Sequence, residues 1–211
     1  QKSKNKLKNT IWKQLADALV ESGIPGKDIG IFGSYLVGFD IKKDVDFVVY
    51  GFGNYKKVRE NIDNILFKLN ATHITKEHIK YQIITHSKNY SNFNSFNKLL
   101  VNKWSSIQLK KELLSTIRFV YKPKEIPENP YVKKIIKETE ILGIVVDSTG
   151  TNFCPRIFIL DVDSKLYTIA TYFWIFQSCV VNGMKVKIRG NLREDNVITI
   201  DNFSQGIQIA K

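Results

Sequence analysis

The chain has 211 residues, 43% of them hydrophobic and 25% charged, with a formal net charge of +12. That length holds two small domains or one large one, and that composition supports packed cores rather than a disordered polar chain. No apolar run approaches the ~18–20 residues of a membrane span, and the first residues lack the apolar segment of a signal peptide, so a cytoplasmic protein with no membrane partner is expected.

The two cysteines, Cys154 and Cys179, are too few for a disulfide framework and show no zinc spacing with His73, His78 or His86. They are read as buried, unpaired thiols. Positive charge is uneven: residues 142–211 hold seven Lys+Arg and six Asp+Glu, which leaves 25 against 14, or +11, in the first 141. A basic half of this size suits a polyanion, and single-stranded or structured nucleic acid is the expected macromolecular partner.

In chain order, Leu7, Ile11, Leu15 and Leu19 fall four apart, with Trp12 and Ala16 beside them, and predict a helix that stops at Gly23 and Pro25-Gly26. Residues 29–50 follow, IGIFGSYLVGFDIKKDVDFVVY. They read as a short strand ending in Gly33-Ser34, a linker carrying Gly38, and a second strand opened by Asp44-Val45-Asp46. Residues two apart in a strand share a face, so Asp44 and Asp46 converge while Val45 points into a core. Convergent carboxylates bind hard divalent cations, and such cations neutralise phosphate oxygens. Gly33 permits close backbone approach to a ligand, and Ser34 can cap a helix whose free N–H groups face an anion.

Gly51 to Asn54 end the second strand, and residues 55–69 predict an amphipathic helix with Val58, Ile62, Ile65, Leu66 and Leu69 on one stripe. A strand is predicted over 79–86, a helix start over 99–104, and a third strand over 113–121. Three prolines within 123–130 mark a linker, and Val132, Ile135 and Ile136 predict a short connecting helix over 131–140. Strands are then predicted over 141–146, 156–162, 165–174, 185–190 and 197–200, with a short helix over 176–182 after the third. Five strands with a helix after the third is the order of an OB-fold barrel. In its fourth strand, Lys185, Lys187 and Arg189 alternate with apolar residues and form a basic ridge, the candidate nucleic-acid contact. Tyr167, Tyr172, Phe173 and Phe158 are candidate stacking rings.

Gly33-Ser34, the spacer, and Asp44-x-Asp46 running into an apolar strand resemble the signature of DNA polymerase beta-like nucleotidyltransferases. The longer string, with Gly38 and VVYG included, is similar to a smaller archaeal family of predicted nucleotidyltransferases whose members carry a related C-terminal module; residues 147–158 resemble part of it. The resemblance implies an α+β protein: a nucleotidyltransferase-type mixed sheet with helices over 1–122, a linker over 123–140, and a small all-β OB-like barrel over 141–211. It implies transfer of a nucleoside monophosphate from an NTP to an acceptor hydroxyl, such as a nucleic-acid end, with Mg2+ or in its place Mn2+. Asp44 and Asp46 are then the catalytic and metal-binding pair, and Gly33 and Ser34 hold the β- and γ-phosphates.

Superfamily members usually supply a third carboxylate from a strand beside the Asp-x-Asp strand. The strand predicted over 113–121 has Arg118 and no acid, with Glu112 just ahead of it; that over 79–86 has Gln82 and His86, with Glu77 ahead. Arg118 is a candidate triphosphate ligand, because its guanidinium matches phosphate geometry, or a strand-edge salt bridge. Two readings follow, a nucleotidyltransferase or a catalytically degenerate nucleotide- or nucleic-acid-binding protein. An acid beside the Asp pair favours the first, and a basic or amide side chain there favours the second.

Overall fold

The structure, a computed structural model, describes residues 11–32, 45–75, 104–110, 113–178 and 180–210. The described residues divide into two compact units that change over between Ile126 and Pro127, inside the proline-containing stretch.

In the first unit, helix α1 (Ile11–Glu21) buries Trp12, Leu15, Ala18 and Leu19, the stripe that the four-residue spacing predicts. Helix α2 (Phe52–Leu69) buries Tyr55, Val58, Ile62, Ile65, Leu66 and Leu69. It starts at Gly51, whose φ of +99° favours a residue without Cβ. Gly51 has no side chain to cap the helix, so Glu125 serves from a distance: its Oε2 accepts from Phe52 N–H at 3.0 Å and Lys122 N–H at 2.9 Å. Lys122 in turn donates to Asp28 Oδ2 at 2.7 Å, and Asn54 donates to the same oxygen at 2.9 Å. The Lys122 hydrogen bond is the main reason the Asp28 carboxyl lies below its ordinary range.

Five strands form the unit's mixed sheet in the order β1-β2-β5-β4-β3, where β1 is Ile29–Phe32, β2 Asp46–Tyr50, β3 Thr72–His73, β4 Ser106–Lys110 and β5 Leu113–Val120. The β2–β5 pair is parallel and the other pairs antiparallel. Register sorts the side chains. Ile29, Ile31, Phe47, Val49, Ile117 and Phe119 share the buried face, where Tyr55 of α2 meets the Phe119 ring edge-on at 5.0 Å. Phe32, Asp46, Thr116 and Arg118 occupy the opposite, less buried face. Strand β4 was not predicted, and Trp104, expected in a helix, stands in the turn before it. The strand predicted over 79–86 lies outside the described residues.

The second unit is a closed five-stranded barrel. Strands β6 (Ile135–Asp147), β7 (Arg156–Val162) and β8 (Lys165–Thr171) form an antiparallel meander. Strand β9 (Lys185–Arg193) pairs back with β6, and β10 (Val197–Ile200) closes the ring, antiparallel to β9 and parallel to β8. A sixth strand that the sequence did not disclose, β11 (Gly206–Ile209), extends the sheet beside β9. Alternation places Val145, Phe158, Leu160, Ile169, Val186, Ile188, Ile198 and Ile200 in the core.

Closure brings backbones into contact at Gly190, where a Cβ would lie 2.6 Å from Thr199 O. Gly190→Ala is therefore expected to destabilise the barrel by about 1–3 kcal/mol, read as a lower urea midpoint at unchanged slope.

Three expectations are corrected here. Residues 131–140 do not form a helix: a 3-10 turn at Pro130–Val132 leads directly into β6. Backbone pairing with β9 from Ile135 onward overrides the weak helical spacing of Val132, Ile135 and Ile136. The helix expected over 176–182 is a single 3-10 turn, Trp174–Phe176. Cys154 is exposed rather than buried, while Cys179 lies outside the described residues. No helix among the described residues is long and apolar enough to cross a membrane.

Candidate active site

The less buried face of the first sheet gathers the described part of the predicted site. Val45 is 1% exposed and tied to β5 at both ends: its N–H donates to Leu114 O at 3.3 Å and its carbonyl accepts from Ser115 Oγ at 2.7 Å. With Val45 fixed in the core, alternation turns Asp46 to the other face, partly buried at the head of β2. Register sets Asp46 directly across from Phe32, the last residue of β1. Gly33, Ser34 and Asp44 lie outside the described residues.

Arg118 stands on the same face, level with Val48. Its guanidinium carbon lies 4.7 Å from the centre of the Phe32 ring, so the side chain reaches across β2 towards the end of β1. Among the described residues its Nε is buried without a hydrogen-bond partner. A strand-edge salt bridge, one of the two roles the sequence offers this arginine, is not formed among these residues.

The register also shows what stands where a third carboxylate is expected. Phe47 pairs with Ile117, so Thr116 sits beside Asp46, and Arg118 is the next residue of β5 on that face. The strand beyond carries Ser106 and Gln108. Neither β4 nor β5 contains an acid, and the described residues hold no group of three His, Cys, Asp or Glu side chains suited to a metal. Glu77, Gln82, His86 and Glu112 lie outside the described residues. The partly buried carboxylate of Asp46 is an oxygen donor of the kind Mg2+ takes, an ion commonly held by one or two carboxylates and completed by water and phosphate oxygens.

Phe32 was not singled out from sequence. The signal was available, because alternation in Ile29-Gly30-Ile31-Phe32 puts its ring on the face opposite the buried isoleucines.

In the barrel, Val186 and Ile188 are fully buried and Lys185, Lys187 and Arg189 point outward, as the alternation predicts. The ridge is not a bare positive surface. Lys187 pairs with Glu140 at 2.6 Å and Arg189 with Glu138 at 2.8 Å, both from neighbouring β6. Of the four candidate stacking rings, Phe158 is 2% exposed and belongs to the core. Tyr167 and Phe173 pack partly against that core, and Phe173 also meets Phe203 with ring centres 4.9 Å apart. Tyr172 is 49% exposed, with its ring 4.8 Å from that of Tyr131.

Strand β9 also carries a buried charge with several partners. Arg193 donates to Thr199 Oγ1, to the carbonyls of Tyr131 and Lys133, and to Asp201 Oδ2. It lies over the ring of Tyr131, whose hydroxyl donates to the carbonyls of Ala170 and Ile200 and whose pKa burial pushes up to about 12. No protein-family model matches the sequence, and no curated protein matches it either.

Proposed function

We propose that the first unit is a metal-dependent nucleotidyltransferase that moves a nucleoside monophosphate from an NTP to an acceptor oxygen. The observation that carries this reading is the shared face of Asp46, Phe32 and Arg118 at the point where β1 runs out into Gly33-Ser34. On this reading Asp44 and Asp46 hold Mg2+, Gly33 and Ser34 hold the β- and γ-phosphates, and Arg118, braced on Phe32, gives its Nε–H, which has no acceptor among the described residues, to a phosphate oxygen. An acceptor oxygen attacks the α-phosphorus in line, the α–β bond breaks, and pyrophosphate leaves. The chain's contribution is positioning and charge neutralisation.

The second unit's strand order, a meander of three strands closed by a fourth and fifth with a parallel β8–β10 pair, supports an OB-type barrel. The +11 charge of the first 141 residues supports a nucleic-acid end as acceptor.

One observation favours the second reading, a nucleotide- or nucleic-acid-binding protein without turnover. Thr116 and Arg118 stand where a carboxylate would activate the acceptor and complete the metal site.

The two readings are separated by incubating the chain with each α-labelled NTP, Mg2+ or Mn2+, and mixed RNA and DNA oligonucleotides, beside Asp44→Ala/Asp46→Ala. Label transferred by the native chain and lost in the variant establishes the transferase. NTP retained in a metal-dependent way without transfer establishes the nucleotide binder, and if neither occurs the enzyme reading is finished and the basic first half is tested for nucleic-acid binding.

A further inference from the structure

The outer surface of the barrel carries two charges without an ion pair among the described residues and an apolar stripe in one register. Leu142, Ile144 and Val146 project outward from β6, at 45%, 49% and 43% exposure, and Leu166 of β8 is 57% exposed. Backbone pairing aligns Lys185 of β9 with Ile144, Ile144 with Asp161 of β7, and Asp161 with Leu166. One row across four strands thus reads Lys185, Ile144, Asp161, Leu166.

The two charges of this row have no ion-pair partner among the described residues. Lys187 and Arg189 have Glu140 and Glu138, but Lys185, two residues further from those acids, makes no ion pair among the described residues. Asp161 makes none either, and its Oδ1 is shut from solvent without a donor. Two strand spacings, about 10 Å, keep these two residues from pairing with each other, and Ile144 stands between them. An aliphatic stripe exposed to this degree is costly in water, and so is a poorly solvated carboxylate.

We propose that this face meets the same face of a second copy of the chain, about a twofold axis running along β6 over Ile144. That axis reverses the row. It sets Lys185 of each copy against Asp161 of the other, with Leu142, Ile144 and Val146 packed on their own counterparts. An axis at right angles to β6 would instead oppose lysine to lysine, so the charges select the first arrangement. The surface is self-complementary, as an isologous interface must be. It also gives Lys185 a role apart from the nucleic-acid ridge.

The test is sedimentation equilibrium of the full chain, with charge reversal and its repair. The native chain is expected to pass from monomer to dimer below about 100 µM, the range of a small interface. K185E and D161K should each raise the dissociation constant roughly tenfold or more, because each sets like charges together, and the double variant K185E/D161K should restore it. I144D should leave a monomer. Melting curves report whether each variant folds. If D161K does not fold, K185E decides alone, since Lys185 is fully outward and its reversal leaves the barrel core intact. A native chain that stays monomeric throughout overturns the proposal, as does a dimer indifferent to K185E, or one that K185E weakens but K185E/D161K, though folded, does not repair.

Discussion

On the proposed transferase reading, Asp46→Asn is expected to lower nucleoside monophosphate transfer by about 1,000-fold or more while leaving the fold in place, because that reading puts a preorganised charge at the reacting phosphate and asparagine removes it without changing side-chain volume. The choice of asparagine matters. Asp46 opens β2 beside the buried Val45, and an isosteric amide keeps the strand's packing while losing the charge a cation requires. Arg118→Lys should behave differently. Its predicted loss is in NTP affinity, seen as a raised KM with a smaller change in kcat, since lysine keeps the charge but neither spreads over the Phe32 ring nor offers a fixed fork to phosphate. Steady-state kinetics on folded variants separates these patterns. A loss in kcat as large as that of Asp46→Asn would argue that Arg118 acts in the transition state rather than in NTP affinity. A full-rate Asp46→Asn enzyme would end the metal-pair reading.

Arg193→Met is expected to destabilise the barrel by about 3–5 kcal/mol, the usual cost of removing one partner from a buried charged pair. The side chain is 9% exposed, and its fork serves Thr199, two carbonyls and Asp201 together. Methionine preserves much of the volume, so the loss reports unpaired groups rather than a cavity. Asp201 would keep the Asn191 amide as a donor while its Oδ1, without a partner among the described residues, stays buried. Urea denaturation of the full chain should show a lowered midpoint for the barrel's transition. Arg193→Lys should recover only part of the loss, because an ammonium cannot reach all four acceptors at once. A change below about 1 kcal/mol would mean that water replaces these contacts readily, as at exposed pairs.

Local pattern was enough to disclose the parts of the chain whose burial repeats with a period. The spacing of Leu15 and Leu19 in α1, the stripe of α2, and the alternation of Val186 and Ile188 against Lys185, Lys187 and Arg189 in β9 each follow from one buried face on one element. The same logic placed Val45 in the core and Asp46 opposite it, and located five of the barrel strands. Periodicity could not find β4 or β11, which are short and gain their identity from the strands they pair with. It also misread residues 131–140, where pairing with β9 decides an ambiguous apolar pattern.

The charges needed tertiary structure most. A sequence shows that Lys187 and Arg189 alternate with apolar residues, but only the β6–β9 register shows that Glu138 and Glu140 answer them and that Lys185 is left over. Likewise the chain shows an arginine in an acid-free strand. Only the parallel pairing of β2 with β5 sets Thr116 beside Asp46 and carries Arg118 across to Phe32. The reason is physical: burial is a property of one residue and leaves a periodic trace along the chain, whereas a charge is defined by its neighbours, and those come from strands far apart in sequence.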